Sequence, residues 1–253
     1  MAHDRIDQLA DALLRINNGE ATKEESMKVL STISEVDLSK AEQRLLERGI
    51  TPQELQGLCK VHLEVLDRKA KDLLEATEPG HPLNTLIGEH QMILGFLDSL
   101  EQAANTIERA TAWDITLEEA LSIARNISAH LSEAEKHHER EEKALFPALE
   151  ERGITGPTRI MRMEHADMRS HKKRLSELVE HAAQHNYAEV KDEIVNEARY
   201  IAANLREHIV KENSILYPAA FEAINYDAAW DSIRRTSDDI GYCCFTPGLP
   251  PTV

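Results

Sequence analysis

Residues 137–150 read HHEREEKALFPALE, and a related stretch, HIVKENSILYPAAF, occupies residues 208–221. Each copy carries a histidine, a glutamate four residues later, and then an aromatic residue, a proline and an alanine. Histidine and glutamate side chains at this spacing lie on one face of a helix. A solvated charged surface has no need of the shared apolar and proline positions. We therefore interpret the copies as a matched, inward-facing pair, 71 residues apart.

A shorter repeat precedes each copy. The stretch GEHQM surrounds His90, and MEHAD surrounds His165, 75 residues further along the chain. The lone histidine lies 47 residues before the longer motif in the first half and 43 residues before it in the second. The sequence therefore predicts two related helix pairs, each with one lone histidine and one histidine–glutamate pair.

Helical periodicity covers almost the whole chain. Apolar residues recur at spacings of three and four, while glycine, proline and aromatic residues are scarce. The pattern predicts an all-α fold with four long helices joined by short connections, as in an up-down-up-down four-helix bundle. The predicted helices cover about 83–110, 116–150, 157–185 and 188–224.

Helix breakers divide the chain into three parts. About four short helices are predicted before EATEPGHP (75–82), where a glycine and two prolines end regular structure. We expect a small helical domain over 1–76 and a four-helix bundle over 77–226. A tail or truncated linker follows over 227–253. Its last residues, TPGLPPTV, cannot continue a helix, so the tail is expected to be extended.

Composition limits the classes of partner. With 45 acidic and 29 basic residues the net charge is −16, which repels nucleic acids and anionic membranes and favours a cation. No stretch approaches the roughly 18 apolar residues of a membrane span, and the start of the chain has no signal-peptide pattern. Three cysteines are too few for a disulfide framework. We expect a cytoplasmic protein.

The repeated motifs supply six side chains that converge when the helices fold as an antiparallel bundle: His90, His137, Glu141, His165, His208 and Glu212. Four imidazoles and two carboxylates exceed the four ligands usual for one zinc ion. They suit two ions, and mixed nitrogen and oxygen donors inside a helical bundle favour iron, with manganese as the alternative. The competing interpretation, ordinary surface charge, does not explain the repeat.

With these motifs, residues of about 82–224 resemble the hemerythrin-like (HHE cation-binding) domains. The resemblance implies that the four histidines are terminal iron ligands, that Glu141 and Glu212 bridge two irons, and that an oxo or hydroxo group joins them. Oxygen-carrying hemerythrins have a fifth histidine one turn before the lone histidine of the third helix, and Met161 occupies that place here. An extra ligand would then come from His138, Glu142 or another neighbouring group, so simple oxygen transport is not expected.

The first domain carries a second resemblance. The run ISEVDLSKAEQRLLERGITPQELQGLCKVHLEVL is similar to an uncharacterised helical domain that precedes hemerythrin-like domains, often in proteins that continue into a PAS sensor domain. The stretch IRRTSDDIGYCCF resembles the junction to that PAS domain. No sequence of PAS length follows it, so the chain either ends early or is a fragment.

Other groups have weaker patterns. Cys59 and His62 share a helix face and, with His81, form a candidate second metal or cofactor site, although a lone thiol is more often a small buried hydrophobe. The adjacent Cys243 and Cys244 have no activating base near them in the sequence, which favours inert thiols.

Phe146 and Tyr217 follow the two glutamates. Core packing is their expected role, with a hydrogen bond from Tyr217 to a bound ligand as the alternative. Pro147 and Pro218 are expected to kink or end their helices.

The leading functional hypothesis is a non-haem diiron protein that binds oxygen, nitric oxide or peroxide in sensing or redox protection. One alternative is a diiron enzyme that reduces peroxide or nitric oxide or repairs iron–sulfur centres. Another is a helical interaction module with a structural metal. The expected partners are a small gas or peroxide and a signalling or electron-transfer protein, without nucleic acid or membrane. The sequence does not choose between sensor and enzyme, and it leaves the oligomeric state open.

Overall fold

The computed structural model describes residues 2–18, 20–22, 34–50, 71–182 and 187–248. These residues form helices and connections and include no strand. Among the described residues before the bundle are helices α1 (Ala2–Asn17) and α2 (Glu35–Glu47), and residues 71–76 are also helical. The candidate ligands Cys59 and His62 lie outside the described residues.

The four long helical segments of the predicted bundle follow in order. The first is α3 (Pro82–Arg109), and the second comprises α4 (Ile115–Glu133), α5 (Glu135–Arg140), a π-turn (Glu141–Leu145) and α6 (Phe146–Glu150). The third is α7 (Gly156–His181), and the fourth comprises α8 (Tyr187–Lys211), a second π-turn (Glu212–Leu216) and α9 (Tyr217–Ala223). The prediction of an all-α chain, with a small helical domain before a four-helix bundle, is confirmed.

Local chemistry fixes several helix starts. Pro82 opens α3, where its missing N–H costs no helical hydrogen bond. The Asp114 side chain caps α4 by accepting the Leu117 N–H at 2.9 Å, and Ser34 caps α2 by accepting the Asp37 N–H at 3.1 Å. These caps satisfy amide groups that have no partner inside the helix.

The chain forms two compact units. Unit 1 contains residues Met1–Asn84, Glu141–Arg162 and Val210–Ser237, and unit 2 contains Thr85–Arg140, Met163–Ile209 and Asp238–Val253. Each unit combines three segments that are distant from one another in the sequence. The domain limits after 76 and 226 remain predictions.

Within unit 1, α1 and α2 pack together around Leu13 and Leu45, and Ile215 of the second π-turn joins the same core. The Gln43 side chain of α2 accepts the Gly156 N–H, where α7 begins, at 3.3 Å. A Cβ atom at Gly156 would lie 2.8 Å from the Gln43 Cβ, so only glycine permits this close approach.

Within unit 2, the four bundle helices bury a continuous apolar core. It includes Leu97, Leu121, Leu175 and Ile201, each from a different helix, and all are almost fully buried. Burying a leucine or isoleucine side chain contributes about 1.5–3 kcal/mol, so this layer supplies much of the stability of the unit. No helix among the described residues has both the length and the apolar character to cross a membrane.

The prediction of an extended tail is wrong for its first half. Residues Asp227–Ile240 form a helix, α10, in which Trp230 and Ile233 are buried. Their three-residue spacing places both on one face, and the Trp230 indole donates to the Ile224 carbonyl at 2.8 Å. The helix stops before Gly241, which has a positive φ of 88°.

Candidate metal centre

Two pairs of facing histidines form the candidate metal centre, and each pair with its supporting carboxylate is called a half-site. The first half-site lies between α3 and α5. His90 and His137 are both buried, and their Nε2 atoms face each other at 3.1 Å. The Nδ1 atom of His137 donates to Glu89 Oε2 at 2.7 Å. Because this bond holds the proton on Nδ1, the lone pair of His137 is on Nε2, the atom that faces His90. A carboxylate that holds a histidine in this way is the usual support of a metal-binding imidazole.

Glu89 is the centre of a buried charge network. Arg140 Nη2 donates to both of its oxygens at 2.6 Å, and the Thr246 hydroxyl donates to Oε1. Burial alone would raise the pKa of Glu89, but the hydrogen bond and charge of His137 and the charge of Arg140 lower it to about 2. Burial lowers the pKa of His137 to about 4. Glu89 is therefore ionised at neutral pH, and His137 is a neutral imidazole, which is the form that binds metals.

The second half-site, between α7 and α8, repeats the first. His165 Nε2 lies 3.0 Å from His208 Nε2, and both rings are buried. His208 Nδ1 donates to Glu164 Oε2 at 2.8 Å. The two sequence repeats therefore have the same geometry. In each, adjacent Glu and His residues on one helix contact a single histidine on the next helix.

His138 is a fifth buried histidine of unit 2. Its ring stacks on His165 with centroids 4.0 Å apart, and ligand atoms of His138, His165 and His208 lie within 4.8 Å of one another. Burial lowers the pKa of His138 well below its usual value. The adjacent residues His137 and His138 are both buried. Their directions differ by about 100°, so His137 reaches one half-site and His138 the other.

Acidic and basic side chains surround His138. Its Nδ1 atom lies 3.4 Å from Glu135 Oε1. Glu135 also accepts from Arg169 Nε at 2.7 Å and forms an ion pair with the buried Lys172. Glu142, the other proposed extra ligand, is only partly buried, and its backbone carbonyl accepts from Arg162 at 3.3 Å.

Both predicted carboxylate ligands open a π-turn. Glu141 and Glu212 are the first residues of the turns, and neither side chain has exposed surface. Pro147 and Pro218 each lie two residues after the end of a π-turn. In a regular α-helix a proline ring crowds the carbonyl group four residues earlier, and here that carbonyl lies inside the wider π-turn. The helices therefore continue past the prolines, and the same local distortion occurs at both glutamates.

The two aromatic residues after the turns are fully buried. The Arg162 guanidinium lies over the Phe146 ring, 5.0 Å from its centroid. The Tyr217 hydroxyl donates to Glu141 Oε1 at 2.7 Å. Tyr217 thus contacts a predicted metal ligand, in addition to the core packing that was expected.

Replacing Tyr217 with phenylalanine should destabilise the metal-free protein by about 1.5–3 kcal/mol, because a buried carboxylate loses a hydrogen-bond donor. Urea unfolding of the metal-free chain measures the change. Tyr226→Phe is the matched control: Tyr226 is 52% exposed, and its loss should cost less than about 0.5 kcal/mol. Equal effects of the two substitutions would contradict the role of Tyr217.

The proposed second site is only partly described. His81 packs against Trp230, with ring centroids 4.5 Å apart, and its Nδ1 accepts the Leu83 N–H at 3.2 Å. Burial, together with the charge of Arg234, lowers the pKa of His81 to about 4. Cys59 and His62 lie outside the described residues, so a shared site with His81 stays a prediction.

Sequence reasoning missed the roles of Glu89 and Glu164. Each directly precedes a lone histidine, and this Glu-His pair was visible in both copies of the shorter repeat. The signal was therefore present. What it could not reveal is that each glutamate binds the histidine of the next helix and not its own neighbour.

Comparison with known families adds two matches. A family model described as the hemerythrin HHE cation binding domain matches residues 81–220. A model of a family of unknown function, DUF438, matches residues 9–72. No curated protein matches the chain significantly. The two resemblances, and their order along the chain, are confirmed.

Proposed function

Because the chain belongs to the hemerythrin HHE cation-binding family, we propose that it is a non-haem diiron protein. Its centre binds oxygen, nitric oxide or peroxide and serves in sensing or in a redox response. The observation that carries the proposal is the repeated half-site, in which two facing Nε2 atoms are backed by a carboxylate on Nδ1.

The spacing of the histidine nitrogens supports a shared ion in each half-site. Two imidazole nitrogens bound at right angles to one ion at about 2.1 Å lie about 3 Å apart. The Nε2 pairs lie 3.1 and 3.0 Å apart. Two such pairs favour two ions, one held by His90 and His137 and the other by His165 and His208.

The two buried glutamates complete the proposed ligand set. Glu141 and Glu212 lie one helical turn after His137 and His208, on the same continuous helical segments. An ionised carboxylate without exposed surface needs strong compensation, and a di- or trivalent cation provides it. Carboxylate and imidazole donors together fit iron better than zinc, which favours thiolate or imidazole in closed sites.

His138 is the proposed additional ligand, on the side of His165 and His208. The place of the fifth histidine of oxygen carriers holds Met161, which is buried and offers only a thioether. His138 is stacked on His165 and lies near the Glu135 carboxylate, so it supplies an imidazole to the same half-site from another helix.

When bound, iron supplies the capacity to bind a diatomic gas or peroxide and to exchange electrons with it. The chain supplies the rest. Glu89 and Glu164 keep the Nε2 lone pairs of His137 and His208 directed inward, and the Tyr217 hydroxyl orients Glu141. Burial of the histidines excludes bulk water, and it lowers the pKa of His137 and His138, which favours their neutral forms.

Anaerobic reduction of the iron-loaded protein, followed by nitric oxide or oxygen, tests the proposal. We expect the visible spectrum to change on addition and to return when the gas is removed, over repeated cycles. Continuous consumption of peroxide or nitric oxide with an electron donor would instead favour the enzyme hypothesis. A spectrum that responds to none of these ligands would overturn the proposal and favour a structural metal.

A further inference from the structure

The segment after α10 belongs to unit 2 and contains two adjacent cysteines. Cys243 is buried, and its Sγ lies 3.7 Å from Arg140 Nη2. Cys244 is exposed. On either side, the Arg140 guanidinium lies over the Tyr242 ring, 4.8 Å from its centroid, and Thr246 donates to Glu89. One thiol thus contacts the network that holds His137, and the other faces solvent.

Cys244 has a base beside it that the sequence does not reveal. Its Sγ lies 3.5 Å from Nδ1 of His130, a residue of α4 that is 114 positions away. The His130 ring is held in place by stacking on Phe96, with centroids 4.8 Å apart, and by the edge of Phe245. A fixed imidazole next to an exposed thiol is the arrangement that activates cysteine, because the thiolate is the reactive form.

We propose that Cys243 and Cys244 are an oxidation site for hydroperoxides, in which His130 activates Cys244 and Cys243 closes a reversible disulfide. His130 takes the thiol proton, and the Cys244 thiolate attacks the peroxide, so that an S–O bond forms and the O–O bond breaks. The leaving hydroxide takes the proton from His130. The Cys243 sulfur then displaces the hydroxyl group, which leaves as water with the Cys243 thiol proton. Two thiols are thereby oxidised while one hydrogen peroxide is reduced to two waters.

The order of the two thiols follows from their surroundings. Cys243 is buried and Cys244 is exposed, so Cys244 meets the oxidant first. Adjacent Cα atoms lie about 3.8 Å apart, less than the roughly 4.4–6.8 Å usual for disulfides. The bond is therefore strained and easily reduced, which suits a reversible response.

Closure also changes the contacts of Arg140. Cys243 Sγ must leave Arg140 to reach its neighbour, because the two cysteine side chains differ in burial and lie on different sides of the segment. We expect the amides of residues 241–248 to exchange faster with solvent in the oxidised protein. This readout needs no metal, so it is independent of the proposed diiron function.

The test uses the full chain with Cys59→Ser, treated with hydrogen peroxide under anaerobic conditions. Intact mass should fall by two hydrogens, peptide mapping should locate the bond at 243–244, and a mild thiol reductant should reverse it. Cys243→Ser should instead accumulate a sulfenic acid at Cys244 that a dione probe labels. His130→Phe, which keeps the ring stack, should slow the reaction about ten-fold or more.

Two results would overturn the proposal. In the first, peroxide oxidises the Cys244→Ser variant of the Cys59→Ser parent to the same extent as the parent itself. In the second, the parent protein retains two free thiols after peroxide treatment, or its oxidation ends with a sulfenic acid at Cys244 and forms no disulfide. Thermal unfolding of each variant, measured in parallel, checks that His130→Phe and Cys243→Ser fold like the parent.

Discussion

Replacing Glu141 and Glu212 together with alanine is expected to reduce bound iron from about two ions per chain to almost none, because both proposed ions lose their carboxylate ligands. Metal analysis after anaerobic loading measures the loss. The metal-free variant should still fold, since removing buried carboxylates also removes their desolvation cost. Thermal unfolding of the metal-free chain checks this second point.

The control for this double variant is Glu151→Ala. Glu151 directly follows the helical segment that contains Glu141, and its side chain is 77% exposed. This variant should retain both irons. A double variant that bound iron as well as Glu151→Ala would show that the two buried glutamates are not ligands.

Replacing Glu89 with alanine is expected to destabilise the metal-free protein by about 3–5 kcal/mol, because it leaves the buried Arg140 without its carboxylate partner. Chemical unfolding at neutral pH measures the loss. The substitution also removes the acceptor of His137 Nδ1–H, so iron binding should weaken by about 10–100-fold. An exposed ion pair gives the comparison: Glu108→Ala removes the partner of the half-exposed Arg199 and should cost at most about 1 kcal/mol.

The same interaction has a pH signature. The pKa of Glu89 is about 2 in the folded protein, against an ordinary value of 4.5. The stability that the ionised Glu89 contributes to the folded protein is therefore complete above pH 4.5, and it is lost as the pH falls from there toward 2. The difference corresponds to about 3 kcal/mol. Unfolding of the parent should therefore become easier in this range, and Glu89→Ala should show a flatter dependence. Parallel curves for the two proteins would contradict the ionised, paired state of Glu89.

Motif and period were enough to predict the bundle, and they selected six candidate ligands within it. Four long helices follow from apolar spacing and breakers, and the repeat around His137 and His208 identified the inward register. Burial of all six side chains agrees with that register. Their union in one diiron centre stays a proposal.

Contacts between residues distant in sequence could not be predicted. Glu89 holds His137, 48 positions away, and His130 faces Cys244, 114 positions away. Such pairs depend on the rotation and axial shift of packed helices, which periodicity does not fix. His138 shows the same limit, because an adjacent histidine can face a different helix when several helices surround it.

The tail was misjudged for another reason. TPGLPPTV suggested an extended segment, but the residues before it have an amphipathic pattern that places Trp230 and Ile233 on one face. Helix-breaking residues at the end of a chain prevent helix formation only in the residues near them. The helix from Asp227 to Ile240 follows its own period.

The most direct test of the diiron proposal is the metal content of the purified, anaerobically loaded chain, determined together with protein concentration by amino-acid analysis. The account predicts about two irons per chain, bound in preference to zinc and lost together in Glu141→Ala/Glu212→Ala. A chain that binds one tightly held zinc, or no iron at all, would contradict it.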